Sequence, residues 1–306
     1  MNIFQIPGKT RRAALEPYLQ LMRIDRPVGV LLLLWPTLAA LWVAADGLPP
    51  IGLIVVFSIG TFLMRAAGCV INDYADRHLD GAVKRTAMRP LAAGTVSERG
   101  ALGLFAVLAL LAFSLLLFLN DLTRWLALAG LGIAVIYPFM KRWTYMPQVV
   151  LGAAFSWGIV MAFAAVQNQV AAAGWLLFVA SLLWIVAYDT LYAMVDRDDD
   201  LKVGIKSTAI LFGTADRLMV GVLQAATIVS LALLGGKQHY GILYELAVAV
   251  IACLFVYQQW LIRNRERDAC FKAFANNVWV GFALLSGVIC QTALGARLAT
   301  LLEGWL

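Results

Sequence analysis

Residues 51–80 read IGLIVVFSIGTFLMRAAGCVINDYADRHLD. The run from Ile51 to Ile71 holds one charged side chain, Arg65, and has the length of roughly 20 residues that a membrane-spanning helix needs. Carboxylates then crowd its end. Asn72, Asp76 and Asp80 recur every fourth residue, so on a continuous helix they form one stripe, with Asp73 beside it. Three carboxylates this close repel one another unless a cation neutralises them. An all-oxygen cluster suits a hard cation, and Mg²⁺ held through few carboxylates shares its other positions with water and substrate phosphates.

Residues 188–200, YDTLYAMVDRDDD, answer this stretch. Tyr192, Asp196 and Asp200 repeat the spacing, and Asp189 falls on the same helical face. Asp198 points off that face and is expected to be a solvated charge. Eight of the 18 acidic residues lie in these two stretches, a concentration that solubility does not explain in so apolar a chain.

The chain is 62% hydrophobic and 14% charged, which excludes an ordinary soluble domain and indicates a polytopic α-helical membrane protein. Nine spans are expected, at about 28–45, 51–71, 100–119, 123–140, 146–166, 172–194, 209–234, 241–262 and 273–296. The whole chain, 1–306, reads as one transmembrane domain, with about 20 N-terminal residues on the cytoplasmic side and flexible. Those first residues carry Lys9, Arg11 and Arg12 without a compact apolar core, so no cleavable signal peptide is expected. Placing the N-terminus inside puts 20 of the 24 basic residues on that side, leaving Arg124, Lys237 and Arg297 outside and Arg65 within a span. The net charge of +6 thus reflects membrane orientation and gives no support to nucleic-acid binding. Cys69, Cys253, Cys270 and Cys290 lack metal-type spacing, and two histidines make no histidine metal site.

Both acidic stretches then lie at the cytoplasmic ends of spans 2 and 6, four spans apart. Lys84-Arg85-Thr86-Ala87 follows the first, and Lys206-Ser207-Thr208-Ala209 the second. The expected architecture is therefore all-α, about nine helices in two related four-helix halves plus one, around a central cavity. Facing carboxylate clusters can hold two or more Mg²⁺, and those ions can hold a diphosphate whose departing charge they neutralise. Lys84, Arg85, Arg89, Lys141 and Lys206 supply basic residues on the same side. A chain so lipid-like suggests that the rest of the substrate is a long hydrocarbon. An allylic carbocation would need a dry, aromatic-rich pocket.

These residues carry a resemblance. Asn72-Asp73-x-x-Asp76-x-x-x-Asp80, Lys84-Arg85-Thr86-x-x-Arg89-Pro90-Leu91 and Tyr188-Asp189-Thr190-x-Tyr192-Ala193-x-x-Asp196-x-x-x-Asp200 resemble the UbiA superfamily of intramembrane aromatic prenyltransferases. Leu21-Met22-Arg23-x-Asp25-Arg26-Pro27-x-Gly29, Tyr137-Pro138-Phe139-Met140-Lys141-Arg142 and Gly204-Ile205-Lys206-Ser207-Thr208-Ala209 are similar to its bacterial 4-hydroxybenzoate branch in ubiquinone biosynthesis. The similarity spans about residues 20–280.

The resemblance implies a Mg²⁺-dependent enzyme of the bacterial inner membrane, both Asp motifs cytoplasmic, that joins a polyprenyl diphosphate to the 3-position of 4-hydroxybenzoate. Asp76 and Asp80 would ligate one Mg²⁺ and Asp196 and Asp200 another, supported by Asn72 and Asp73. Lys84, Arg89, Tyr137, Lys141 and Tyr192, with Asn72, would bind substrate, and Asp189 would lie near the reacting centre, either on metal or positioning the acceptor. Arg65, deep in its span, either grips the acceptor's carboxylate or forms a structural ion pair with an Asp of the cluster. Prenyl transfer to another aromatic acceptor is the nearer rival. A secondary transporter would also use intramembrane carboxylates, but near the midplane and on broken helices.

Overall fold

The structure, a computed structural model, describes residues 15–78, 80–82 and 86–303. The expectations for residues 1–14 and for Lys84 and Arg85 lie outside the described residues. Among the described residues there is no strand, and nine helices are long and apolar enough to cross a membrane. They are α1 (Val28–Ala45), α2 (Ile51–Asp76), α3 (Glu98–Ser114), α4 (Asp121–Trp143), α5 (Pro147–Gln167), α6 (Ala172–Val203), α7 (Asp216–Lys237), α8 (Ile242–Leu261) and α9 (Arg267–Glu303). A five-residue helix, Thr208–Phe212, precedes α7.

Sequence explains where these helices begin and stop. Pro27 and Pro50 immediately precede α1 and α2, where a missing N–H costs no helical hydrogen bond. Ser97 accepts from the Gly100 amide ahead of α3, and Asn120 from the Thr123 amide ahead of α4. Each such cap is worth about 1 kcal/mol. Gly204, at φ 74°, ends α6 in the left-handed conformation that glycine adopts without penalty.

Two helices differ from expectation in ways that matter for the site. α6 runs 32 residues, ~48 Å at the helical rise, against a hydrocarbon core of roughly 30 Å. Its last turns therefore project past the bilayer core and carry Asp196 and Asp200 with them. α2 instead stops at Asp76, and Asp80 sits in a separate 3-10 turn, Asp80–Ala82. The expected continuous stripe through Asn72, Asp76 and Asp80 is thus broken before its third member. Asp80 reaches the cluster by a turn of the chain, held where the Thr86 hydroxyl donates to its carbonyl at 2.8 Å.

α1 and α5 pack on each other at the centre, and each half is built around one of them. α1 packs on α2 and α2 on α3, as α5 packs on α6 and α6 on α7; α9 closes against α8, α6 and α1. Ala39 and Ala40 on α1 and Ala162 and Ala164 on α5 are buried, small enough to let helix backbones approach closely. The repeat extends to ion pairs just past each acidic motif. Arg77, after Asp76, meets Glu98 at the start of α3 at 3.1 Å; Arg197, after Asp196, meets Asp216 at the start of α7 at 3.2 Å.

The halves part company at one place. α7 packs on α8, whereas α3 and α4 have no comparable contact. Leu110 and Phe113 on α3 and Leu128 and Leu131 on α4 are exposed there. That gap leaves the first half hollow.

Candidate active site

The two acidic motifs contribute five buried carboxylates: Asp73 and Asp76 on α2, Asp80 after it, and Asp196 and Asp200 on α6. A buried carboxylate is costly unless paired. Asp73 is gripped by Arg23, whose Nη2 donates to both carboxylate oxygens at 2.8 and 3.0 Å. Arg89 lies between Asp73, at 3.0 Å, and Asp80, where Nη1 donates at 3.0 and 3.1 Å. Lys141 on α4 pairs with Asp76, which also accepts from the Asn72 amide at 3.3 Å. The other oxygen of Asp76, Oδ1, is buried with no hydrogen-bond partner.

Asp80 shows what this crowding does. Burial pushes its carboxyl above the usual carboxylate range, Arg89 works against that, and the neighbouring Asp76 and Asp73 add to the rise. In the first motif three carboxylates, Asp73, Asp76 and Asp80, meet three cations, Arg23, Arg89 and Lys141. All donors are oxygens, and among the described residues no three Asp, Glu, His or Cys side chains form a ready metal cage. Few protein ligands with room for outside oxygens is the arrangement that suits Mg²⁺.

On α6, Asp189 and Tyr192 line the hollow of the first half, while Asp196 and Asp200 lie further along the helix. Asp198 is exposed, as its off-face position predicts, and Arg267 at the start of α9 bridges it and Asp199 at 3.1 Å each. The Gly204–Ala209 segment docks α6 on its neighbours. The Lys206 amide donates to the Lys141 carbonyl at 3.1 Å and the Thr208 amide to Gln148 Oε1 at 3.0 Å, while the Thr190 and Thr208 hydroxyls meet at 2.7 Å. Lys206 itself turns towards the Trp143 carbonyl and the Tyr145 ring.

The hollow is a cavity of about 1240 Å³ between α1 and α6, larger than the roughly 300–1,000 Å³ of ordinary small-molecule sites. Its wall is apolar along α3 and α4, and its polar end gathers Arg65, Asn72, Asp73, Arg89, Tyr137, Asp189 and Tyr192. Asp76, Asp80, Lys141, Asp196 and Asp200 stand behind that end rather than in its lining.

Arg65 settles one of the two alternatives left open above. Its Nη1 donates to the Cys69 sulfur, and its guanidinium lies 5.9 Å from the centre of the Phe155 ring. Among the described residues it pairs with no carboxylate, and its Nε is buried without a partner. The structural ion pair with the acidic cluster is therefore absent. An arginine inside a membrane-spanning segment is a candidate functional residue.

Comparison with known proteins fits this arrangement. Residues 33–286 match the model of the UbiA prenyltransferase family. The chain belongs to the UbiA prenyltransferase family. It is 57% identical over 274 residues to 4-hydroxybenzoate octaprenyltransferase of Tolumonas auensis, covering 90% of this chain and 96% of that one. The same-named protein of Pectobacterium carotovorum subsp. carotovorum is 59% identical over 272 residues, covering 89% and 95%. A UbiA homolog from Aeropyrum pernix K1, solved in apo form, shares the fold at TM-score 0.76 and 23% identity, over 85% of this chain and 96% of that one. A UbiA homolog from Archaeoglobus fulgidus bound to GPP and Mg²⁺ does so at 0.68 and 20%, over 88% and 99%.

Membership makes this a multi-pass membrane prenyltransferase and removes the transporter alternative. Within the UbiA fold, two residues of the Leu21–Gly29 motif make contacts that the sequence does not assign. Arg23, held at φ 57°, is the clamp on Asp73, a strained backbone at the site. Gly29 on α1 gives Arg65 its place, since a Cβ there would lie 2.6 Å from Arg65 Nη2. Both fall in the Leu21–Gly29 segment; the motif marks them, but no spacing rule assigns their partners across 36 and 50 residues of chain.

Proposed function

We propose that the protein transfers the polyprenyl group of a polyprenyl diphosphate to the 3-position of 4-hydroxybenzoate, releasing diphosphate, as a membrane step of ubiquinone biosynthesis. The observation that carries this reading is Arg65, a guanidinium without a carboxylate partner at the polar end of an otherwise apolar cavity. A guanidinium fork fits a carboxylate bidentately. The names of the two relatives above, more than half identical over nearly their whole length, support the same acceptor.

Mg²⁺ is the metal we assign, held by Asn72, Asp73, Asp76 and Asp80 and by Asp196 and Asp200; when bound it supplies neutralisation of the charge building on the leaving diphosphate. The buried, unpartnered Asp76 Oδ1 fits that role, and the homolog from Archaeoglobus fulgidus carries Mg²⁺ with GPP. Arg23, Arg89 and Lys141, the cations now on the carboxylates, turn to the diphosphate in this reading, with Lys84, five residues before Arg89 in sequence. The apolar wall along α3 and α4 holds the hydrocarbon and excludes water from the allylic cation. Arg65 holds the aromatic ring so that the carbon ortho to its hydroxyl faces that cation. The carbon–oxygen bond to diphosphate breaks, a carbon–carbon bond forms, and the ring proton is lost to Asp189, the carboxylate of the second motif that lines the cavity.

The basic-residue bias puts the N-terminus and both Asp motifs on the cytoplasmic side; impermeant labelling of single cysteines at positions 78 and 239 checks it. For the reaction, membranes containing the protein are given 4-hydroxybenzoate, a polyprenyl diphosphate and Mg²⁺. 3-Polyprenyl-4-hydroxybenzoate by mass spectrometry, lost on adding EDTA, is the expected result. Product with other aromatic acceptors but none with 4-hydroxybenzoate would refute the acceptor; product undiminished by EDTA would refute the metal.

A further inference from the structure

Among the described residues, two that line the cavity bury a polar atom without a hydrogen-bond partner: Arg65, at Nε, and Tyr188, at its hydroxyl. Arg65 Nε can only donate, and the Tyr188 hydroxyl can donate or accept. Native proteins rarely leave a buried hydroxyl unpaired, and one beside a ligand cavity points to a ligand acceptor. Tyr188 is 2% exposed, and its ring is locked. Trp184 packs against it edge-on at 5.5 Å and 83°, and Phe274 from α9 at 5.9 Å and 65°. The Trp184 indole N–H donates to Asn277 Oδ1 at 2.7 Å, and the Asn277 amide donates to the Ala273 carbonyl at 2.9 Å. Two layers of contacts from α9 thus hold the phenol in one pose, as a preorganised binding group requires.

Arg65, Asp189 and Tyr137 lie within electrostatic reach of this phenol. Asp189 is an acceptor and suits an acceptor molecule's own O–H. A carboxylate can accept from both atoms, and it offers about four lone-pair positions, more than an arginine fork uses. We propose that the Tyr188 hydroxyl donates a hydrogen bond to the carboxylate of the aromatic acceptor alongside Arg65, and that this second donor sets the preference for carboxylated acceptors. The inference rests on the acceptor assigned in the preceding subsection.

Tyr188→Phe tests it by removing one oxygen while keeping the ring between Trp184 and Phe274. Loss of a hydrogen bond to a charged group weakens binding about 10- to 100-fold. The KM for 4-hydroxybenzoate rises by that factor, the KM for polyprenyl diphosphate does not move, and the preference for 4-hydroxybenzoate over 4-hydroxybenzamide shrinks correspondingly. The Tm of the purified protein is unchanged or raised, because an unpaired buried hydroxyl has gone. An unchanged acceptor KM overturns the proposal, as does an equal loss towards acid and amide. A lowered Tm also overturns it, since the hydroxyl would then have a partner in the folded protein. If the unmodified enzyme fails with 4-hydroxybenzoate, the assigned acceptor falls and this inference with it; if it succeeds and the variant matches it, this inference alone falls.

Discussion

Gly29→Ala perturbs the acceptor end without removing a charged group. A Cβ on Gly29 would lie 2.6 Å from Arg65 Nη2, 2.8 Å from Nε and 3.1 Å from Cζ. Ordinary contacts lie near 3.5 Å, so the guanidinium must withdraw by roughly 0.9 Å. Arg65 can do so because its far end is flexible, and the helix tolerates alanine at least as well as glycine. The fold should survive and the clamp should not. A misplacement of about 1 Å at a reacting centre can cost on the order of 100-fold, and some relaxation of the arginine softens that, so kcat/KM for 4-hydroxybenzoate is expected to fall about 10- to 100-fold. The assay varies 4-hydroxybenzoate at saturating polyprenyl diphosphate and Mg²⁺, with the KM for the diphosphate and the Tm as controls. Unchanged acceptor kinetics would show that the position of Arg65 does not matter for the acceptor, and the carboxylate clamp would be wrong. An activity loss matched by a fallen Tm would refute the local explanation instead.

Asp76→Asn removes a charge from the centre of the first motif, where Lys141 and Asn72 converge; turnover is expected to drop at least about 1,000-fold with 4-hydroxybenzoate still bound, and near-normal turnover would exclude Asp76 from metal binding. The raised Asp80 carboxyl predicts the sign of a pH effect. Protons compete with the divalent cation for that carboxylate, so apparent Mg²⁺ affinity falls as pH drops through its elevated pKa, by up to about tenfold per unit. Raising Mg²⁺ should then move the acid limb of activity to lower pH; an acid limb indifferent to Mg²⁺ would contradict this. Asp216, fully buried between Arg197 at 3.2 Å and Arg265 at 2.8 Å, is structural. Asp216→Ala should destabilise by about 2–4 kcal/mol, less than a wholly buried pair because both arginines reach solvent, while activity per folded molecule persists. A normal Tm would refute that.

The proposed metal dependence and the fold are separable in these measurements. Asp76 and Asp80 concern the carboxylate end, Gly29 and Tyr188 the acceptor end, and Asp216 the scaffold that repeats the Arg77–Glu98 pair of the first half. A result confined to one group leaves the others standing.

Much of this was legible in the chain itself. Span number, the placing of Asp76 at a helix end and the twofold repeat follow from hydropathy and spacing, because a lipid-exposed backbone has so few choices that length and apolarity nearly dictate a helix. The acidic stretches stood out because eight carboxylates fall in two short segments of so apolar a sequence. Tertiary structure decided what local period cannot encode. It ended α2 at Asp76 and brought Asp80 in by a turn, it opened a cavity by failing to pack α3 on α4, and it carried Arg23 across 50 residues to Asp73. It also left Arg65 and Tyr188 with unpaired donors in one cavity. Whether a buried polar group has a partner depends on side chains from other helices, and no reading of its own helix contains them.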